Sequence, residues 1–439
     1  MRTSRPVLGV CAVLVVQLAL ACAKPAEPAR DRPVADWPQF RGPLGRATAA
    51  GPAPVAWGAD KNLLWKAELP GPGSSSPVVI GGRVFVTCHT GYGVSEQRGA
   101  MDQLRRLVLC FSAGDGKLLW STAVQSRLPE EPYQARMLQH GYASSTPAVD
   151  AERVYVFFGK SGVFALDHDG KELWHADVGA AVHGWGSGAS PVLFRDLVLV
   201  NASVESESLI ALDRRTGKEV WRTRGVKESW STPLIIELPG GGTELVVPVV
   251  NKVLGIDPAD GKVLWSCATI PYYMCPSAAA HAGIVYITGG RERTTFAIRA
   301  GGRGDVTRTH LVWQVRKGSN VSSPVYHDGH LYLANDSPAV ACCLDAKTGE
   351  VRYEERLPDG EIYASPVLAG GKLYYVMRHG TTHVVAAQPR FELLASSRLG
   401  DHARCNATPA LAGGRLFLRT DRFLYCIGEP SCRRGNGDG

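Results

Sequence analysis

Ser75-Ser76-Pro77-Val78-Val79-Ile80-Gly81-Gly82-Arg83-Val84-Phe85-Val86, completed by Gly114-Asp115-Gly116-Lys117-Leu118-Leu119-Trp120, is the stretch whose recurrence decides the fold. Its first half returns as Ser145-Thr146-Pro147, Ala189-Ser190-Pro191, Ser231-Thr232-Pro233, Ser323-Pro324, Ser365-Pro366 and Thr408-Pro409, with a degenerate copy at Ser277-Ala278. Counted on the proline position, the copies stand at 77, 147, 191, 233, 278, 324, 366 and 409. Seven intervals separate these eight copies: 70, 44, 42, 45, 46, 42 and 43 residues. A period in the low forties marks a repeat architecture.

Each unit reads as four short strands. Strand A follows the Ser-Pro. A tight turn such as Gly81-Gly82, Asp328-Gly329, Gly370-Gly371 or Gly413-Gly414 supplies hairpin chemistry. Strand B is β-branched and aromatic, as in Val154-Tyr155-Val156-Phe157. Strand C ends in a pattern such as Ala211-Leu212-Asp213, and a Gly-Lys turn leads to strand D with its Trp. That half recurs at Asp167-Gly170-Lys171-Trp174, Asp213-Gly217-Lys218-Trp221, Asp257-Gly261-Lys262-Trp265 and, with Tyr for Trp, Asp345-Gly349-Glu350-Tyr353. The expected fold is all-β: an eight-bladed β-propeller of four-stranded antiparallel blades. The first Trp, in Asn62-Leu63-Leu64-Trp65-Lys66, precedes the first Ser-Pro, and the last unit ends after strand C. The N-terminal segment is therefore expected to supply strand D of the last blade and close the ring, leaving no open edges.

The unit Leu-Asp-x-x-Thr-Gly-Lys-x-x-Trp, matched residue for residue from Leu212-Asp213 to Trp221, resembles the tryptophan-docking repeat of pyrroloquinoline-quinone (PQQ)-type propellers. The resemblance runs from about Trp37 to Gly428. That superfamily includes quinoprotein alcohol dehydrogenases and the outer-membrane β-barrel assembly lipoprotein. Its repeat holds blades together and does not touch substrate, so it speaks for fold more than for function.

Arg2 and Arg5 precede an apolar run from Val7 to Ala21, a secretory signal (1–21) too short to span a bilayer. Small residues before Cys22 suit lipidation of that cysteine. Ala19-Leu20-Ala21 also suits ordinary cleavage. Residues 22–36 form a Pro- and Ala-rich tether, 37–428 the propeller, and 429–439 a polar tail expected to be disordered. The expected setting is export to the periplasm with an outer-membrane lipid anchor. Losing Arg2 and Arg5 lowers the formal charge from +7 to +5, and no basic run points to nucleic acid. A monomer is the expected state.

The chain holds eleven Cys. Cys110, Cys343 and Cys426 fall at the strand C position that Ala165 and Ala211 occupy elsewhere, where a small buried residue serves. Cys88 could pair with Cys110, and Cys267 with Cys275. Cys342-Cys343 is similar to the vicinal disulfide that touches the cofactor in quinoprotein alcohol dehydrogenases, but lies within the repeat's own strand C.

Two insertions break the rhythm, both in blade 1: His89 to Arg106 between strands B and C, and Gln125 to Gly141 after strand D. In an up-and-down meander, B-to-C and D-to-A turns share one face of the disc. The insertions should therefore meet there as a wall or lid. The residues before each Ser-Pro line the channel mouth on the same face: His140 and Tyr142, His183 and Trp185, Trp230, Tyr273, Asn320, Tyr363, Arg404 and Asn406. An aromatic funnel with a few polar groups suits a small-molecule or peptide ligand, and suits a channel plug as well.

Catalytic signals are sparse. No Cys-x-x-Cys-His is present. His327-Asp328-Gly329-His330 sits in a tight turn, and His379 and His383 lie on a strand-turn segment, so their spacing makes no shared face for a metal. The resemblance to quinoproteins implies PQQ and a calcium held by carboxylate and amide, with a base Asp and a stacked ring. None of these can be matched residue by residue. The expectation is thus a non-catalytic scaffold that binds a partner on the B-to-C/D-to-A face. A PQQ- or metal-dependent oxidoreductase at the channel mouth is the alternative, and a carbohydrate-binding module the third reading.

Overall fold

A computed structural model describes Met1 and residues 36–94, 99–358 and 360–429. The expected leader, Cys22, the tether up to residue 35 and the tail from 430 onward lie outside the described residues.

Eight antiparallel sheets follow one another along the chain. Blade 1 runs Val78–Ile80, Arg83–Thr90, Arg105–Ser112 and Leu118–Val124 as strands A to D. Blade 8 takes Ala410–Ala412, Arg415–Arg419 and Phe423–Ile427 from the C-terminal end of the chain and Leu63–Glu68 from the N-terminal part. Trp65 lies opposite Cys426 in that sheet, so the ring closes as its sequence requires. Gly81-Gly82 and Asp328-Gly329 turn strand A into strand B with positive φ at both residues, the primed turn a two-residue hairpin demands.

The Ser-Pro motif owes its recurrence to a hydrogen-bonded ring. The backbone N–H of Ser76 donates to the Thr146 hydroxyl at 2.9 Å, and Thr146 to Ser190, Ser190 to Thr232 and Thr232 to Ser277, each at 3.0 Å. Ser277 donates to Ser323 at 2.9 Å, Ser323 to Ser365 and Ser365 to Thr408 at 3.0 Å, and Thr408 returns to Ser76 at 3.1 Å. The degenerate copy keeps its hydroxyl and loses only the proline.

The Trp motif docks each blade on the next. The indole N–H groups of Trp65, Trp120, Trp174, Trp221 and Trp313 donate to the carbonyls of Ala113, His168, Arg214, Pro258 and Ala346 in the following blade's C-to-D turn. The glycine of that turn lies flat on the ring: a Cβ at Gly217 would stand 2.6 Å from Trp174. Across the C–D ladder the docking Trp faces a small residue, as Trp174 faces Ala165, Trp120 Cys110 and Trp65 Cys426. Blade 7 inverts the pair, with Val384 opposite Ala395. In blade 4, Trp265 lies over Gly255 and its N–H turns to the buried Glu244 carboxylate at 2.8 Å. Glu244 also accepts from the Gly301 N–H at 3.1 Å, because blade 5 has a longer C-to-D connection.

Neither proposed disulfide forms. Cys88 stands opposite Leu107 and Cys110 opposite Phe85, so the two point to opposite faces of one sheet. Cys267 is sunk in the apolar layer between blades 4 and 5, Cys275 lies beyond it in the D-to-A turn, and both are free thiols. Burial raises both, Cys275 to about 12.

On the A-to-B side, the N-terminal segment stoppers the channel. Trp37 and Val79 exchange both backbone hydrogen bonds, at 2.7 and 2.9 Å, and Val149 donates to the Pro38 carbonyl at 2.8 Å. Thr48–Ala49 then adds in parallel to strand A of blade 7. Among the described residues no helix is long and apolar enough to cross a membrane.

Candidate functional site: the lid over the channel mouth

The two insertions meet, as the alternation of turns requires. Tyr92 and Leu104 from the first pack with Met137 from the second and Tyr142 just after it in a small apolar cluster of their own. Tyr133 donates its backbone N–H to the Tyr92 hydroxyl at 3.1 Å, and Tyr142 gives its hydroxyl proton to the Glu131 carbonyl at 2.7 Å. A buried ion pair fastens the two together, with Arg106 Nη2 2.6 Å from Glu130 Oε1. Arg106 also donates to the Tyr142 carbonyl and the Ser161 hydroxyl, so its charge is fully engaged where an unpaired one would be costly. His89, beneath this cluster, meets Tyr142 edge-on at 5.3 Å and is pulled down to about 4 by burial.

From that anchor the short helix Ala135–Gln139 reaches the mouth. Its far end is tied to blades 7 and 8. Asn406 donates to the Gln139 carbonyl at 2.6 Å, Arg404 to the Leu138 and Gln139 carbonyls, and Arg378 to the Gln139 side chain at 3.0 Å. Arg378 also pairs with Glu361 at 2.9 Å and lies over the Tyr363 ring at 4.0 Å. Arg404 stands 4.0 Å from Asp421, whose carboxyl burial pushes up. Toward blade 3, the His140 ring stacks on Trp185 at 6.5 Å and 14°, and Arg136 covers the same indole at 5.3 Å. His140 bonds the Ser144 hydroxyl at 2.7 Å, and burial holds its imidazole at about 4, hence neutral.

The funnel residues therefore divide. His140, Tyr142, Trp185, Arg404 and Asn406 belong to the lid and its moorings, and Tyr363 joins them through Arg378. His183, Trp230 and Tyr273 form an aromatic file beside it, with His183 edge-on to Trp230 at 4.9 Å and Trp230 edge-on to Tyr273 at 6.4 Å. Trp230 fixes its indole on the Gly186 carbonyl at 2.7 Å. Asn320 bonds Asp336 through its backbone N–H at 3.2 Å, and its buried side-chain oxygen has no partner.

Two contributors come from outside the D-to-A turns and the insertions of blade 1. Arg378 follows strand B of blade 7 and Glu205 lies in the B-to-C turn of blade 3, on the same face by the same alternation. Glu205 accepts from the Ser187 hydroxyl, and burial raises its carboxyl to about 7.

Some expected features are not brought together. Cys342 and Cys343 are free thiols facing opposite sides of strand C of blade 6. His383 is spoken for by the Ser396 hydroxyl at 2.8 Å and the Pro358 carbonyl at 3.3 Å. Among the described residues, no three His, Cys, Asp or Glu side chains gather as a metal site.

The family described as outer membrane protein assembly factor BamB matches residues 87–224, 159–305 and 304–421, most of the propeller. The chain belongs to this family. No curated protein matches the sequence. Among solved structures, BamB from Moraxella catarrhalis is similar over 83% of this chain and 98% of its own, with a TM-score of 0.57 and 12% identity. The quinohemoprotein alcohol dehydrogenase from Comamonas testosteroni is similar over 90% of this chain and 81% of its own, with a TM-score of 0.63 and 13% identity. A europium-containing methanol dehydrogenase covers 91% of this chain and 99% of its own, with a TM-score of 0.62 and 12% identity. At such identities these likenesses speak for the fold alone.

Proposed function

We propose that this member of the BamB family is an exported, lipid-tethered and non-catalytic scaffold that captures a protein partner on its B-to-C/D-to-A face. The observation that carries the reading is the lid. A packed, moored insertion fills the channel mouth and presents apolar side chains outward. Leu128 and Leu138 on the second insertion are 38% and 36% exposed, and Val94 on the first insertion and Val182 before strand A of blade 3 are each 43% exposed. The half-buried Trp185 and Trp230 edge the same surface. Aromatic anchors among apolar side chains are what protein interfaces use at their centres. The family description, outer membrane protein assembly factor, agrees with a partner at the outer membrane.

The alternative, a quinoprotein oxidoreductase, is disfavoured by the residues present. The quinone and calcium do not fit a mouth occupied by Ala135–Gln139 and without a carboxylate cluster among the described residues, and the Cys342 and Cys343 thiols face apart within strand C of blade 6. Co-purification from solubilised membranes tests the proposal. Trp185→Ala combined with Leu138→Asp should abolish capture and leave the unfolding temperature nearly unchanged. Retained capture sinks it. Stoichiometric uptake of PQQ with calcium, read by quinone absorbance, would favour the enzyme instead.

A further inference from the structure

The face opposite the lid holds an aromatic file that the scaffold reading does not use. Strand A of blade 5, Ala279–His281, turns Ala280 toward blade 4 and His281 toward blade 6. There the imidazole lies flat on Tyr326, with ring centroids 4.1 Å apart and planes 11° apart. Tyr326 in turn lies parallel to the buried Tyr286, at 6.0 Å and 11°. The platform is rigid: Tyr286 sits in the apolar seam between blades 5 and 6, and the Tyr326 hydroxyl accepts from the Gly329 N–H at 3.2 Å. His281 ends the file. It is exposed, and Tyr326 covers one face of its ring, so the other face is open.

His281 and Tyr326 together line a cavity of about 530 Å³, within the size range of ligand pockets. It lies where the N-terminal stopper crosses the A strands of blades 4 to 7, and Leu44, Leu234, Ile236 and Leu368 give it apolar walls. Arg46, Glu237 and Asp328 also border it, but all three are exposed, and charges in open water discriminate little between ligands. We propose that this cavity binds an uncharged planar aromatic ligand of about two fused rings, stacked on the open face of His281 as the next ring of the file. Parallel offset rings attract beyond the area that they bury, so a flat ring gains here what a saturated ring of the same size does not.

The test uses the full chain, with 2-naphthol and its saturated counterpart decahydro-2-naphthol as probes in calorimetry and proton NMR. 2-Naphthol should bind about three- to tenfold more tightly, and its ring protons should move upfield on binding. His281→Leu covers Tyr326 with an aliphatic side chain and should lose both the preference and the upfield shift. His281→Phe restores a flat ring and should keep both. Neither variant should change the unfolding temperature much, because the imidazole is exposed. Equal binding of the two probes, a preference and upfield shift that survive in His281→Leu, loss of binding in Trp230→Ala on the lid face instead, or no binding of 2-naphthol would each overturn the proposal.

Discussion

Around the channel, eight backbone N–H groups meet eight hydroxyls in one contact repeated at 2.9–3.1 Å. Over the mouth, no contact occurs twice. The lid is held by one buried ion pair, a stacked imidazole, an aromatic cluster and three side chains reaching for the carbonyls and amide of a single short helix. The first region must do the same thing at every seam, so its residues recur. The second does one thing in one place and leaves no period to find. Stability resides in the first and the proposed partner capture in the second, and the contrast can be broken by experiment.

The largest expected effect is at the closing seam. Trp65→Ala removes an indole that rests on Gly116 and donates to Ala113, and should cost about 3–5 kcal/mol in urea unfolding. A loss below about 1 kcal/mol would mean that the ring does not depend on closure.

Next comes an ionisable group beside the lid. The Glu205 carboxyl is raised from 4.5 to about 7 by burial. Its contribution is complete below the unfolded value and is lost as pH rises through about 7, a change of about 3 kcal/mol. Urea midpoints should therefore fall between about pH 5 and pH 8, and Glu205→Gln should flatten that fall. An unchanged slope in the variant would place the titration elsewhere.

Two smaller changes sharpen the ring side. Glu244→Ala leaves the Trp265 and Gly301 N–H donors without their acceptor and should cost about 2 kcal/mol. Ser277→Ala removes one acceptor from the hydroxyl ring and should cost about 1 kcal/mol. A far larger loss there would make the ring cooperative, with each contact depending on its neighbours.

These sites also show what the chain discloses. Ser76, Thr146 and Ser190 announce the repeat, Trp65 and Cys426 announce closure, and the alternation of turns brings the insertions of blade 1 to one face. The role of the hydroxyls was hidden, because a Ser before Pro reads as turn chemistry until its neighbour's N–H is seen. Glu244 was hidden because it acts only when Trp265 finds no turn to dock on. The Cys88–Cys110 pairing failed on parity, because the two share neighbouring strands but not a face. The lid was legible in position but not in content, since Gln139 and Arg378 meet across 239 residues with no pattern linking them.

On this reading the lid face, and not the face carrying the N-terminal stopper, meets the partner. A photo-crosslinking residue placed at Leu138, compared in the same cells with one at the exposed Arg215 in the C-to-D turn of blade 3 on the far face, reads this out. The account predicts one discrete adduct from position 138, lost when Trp185→Ala is added, and none from position 215. Adducts from 215 alone, or equally from both positions, would contradict it.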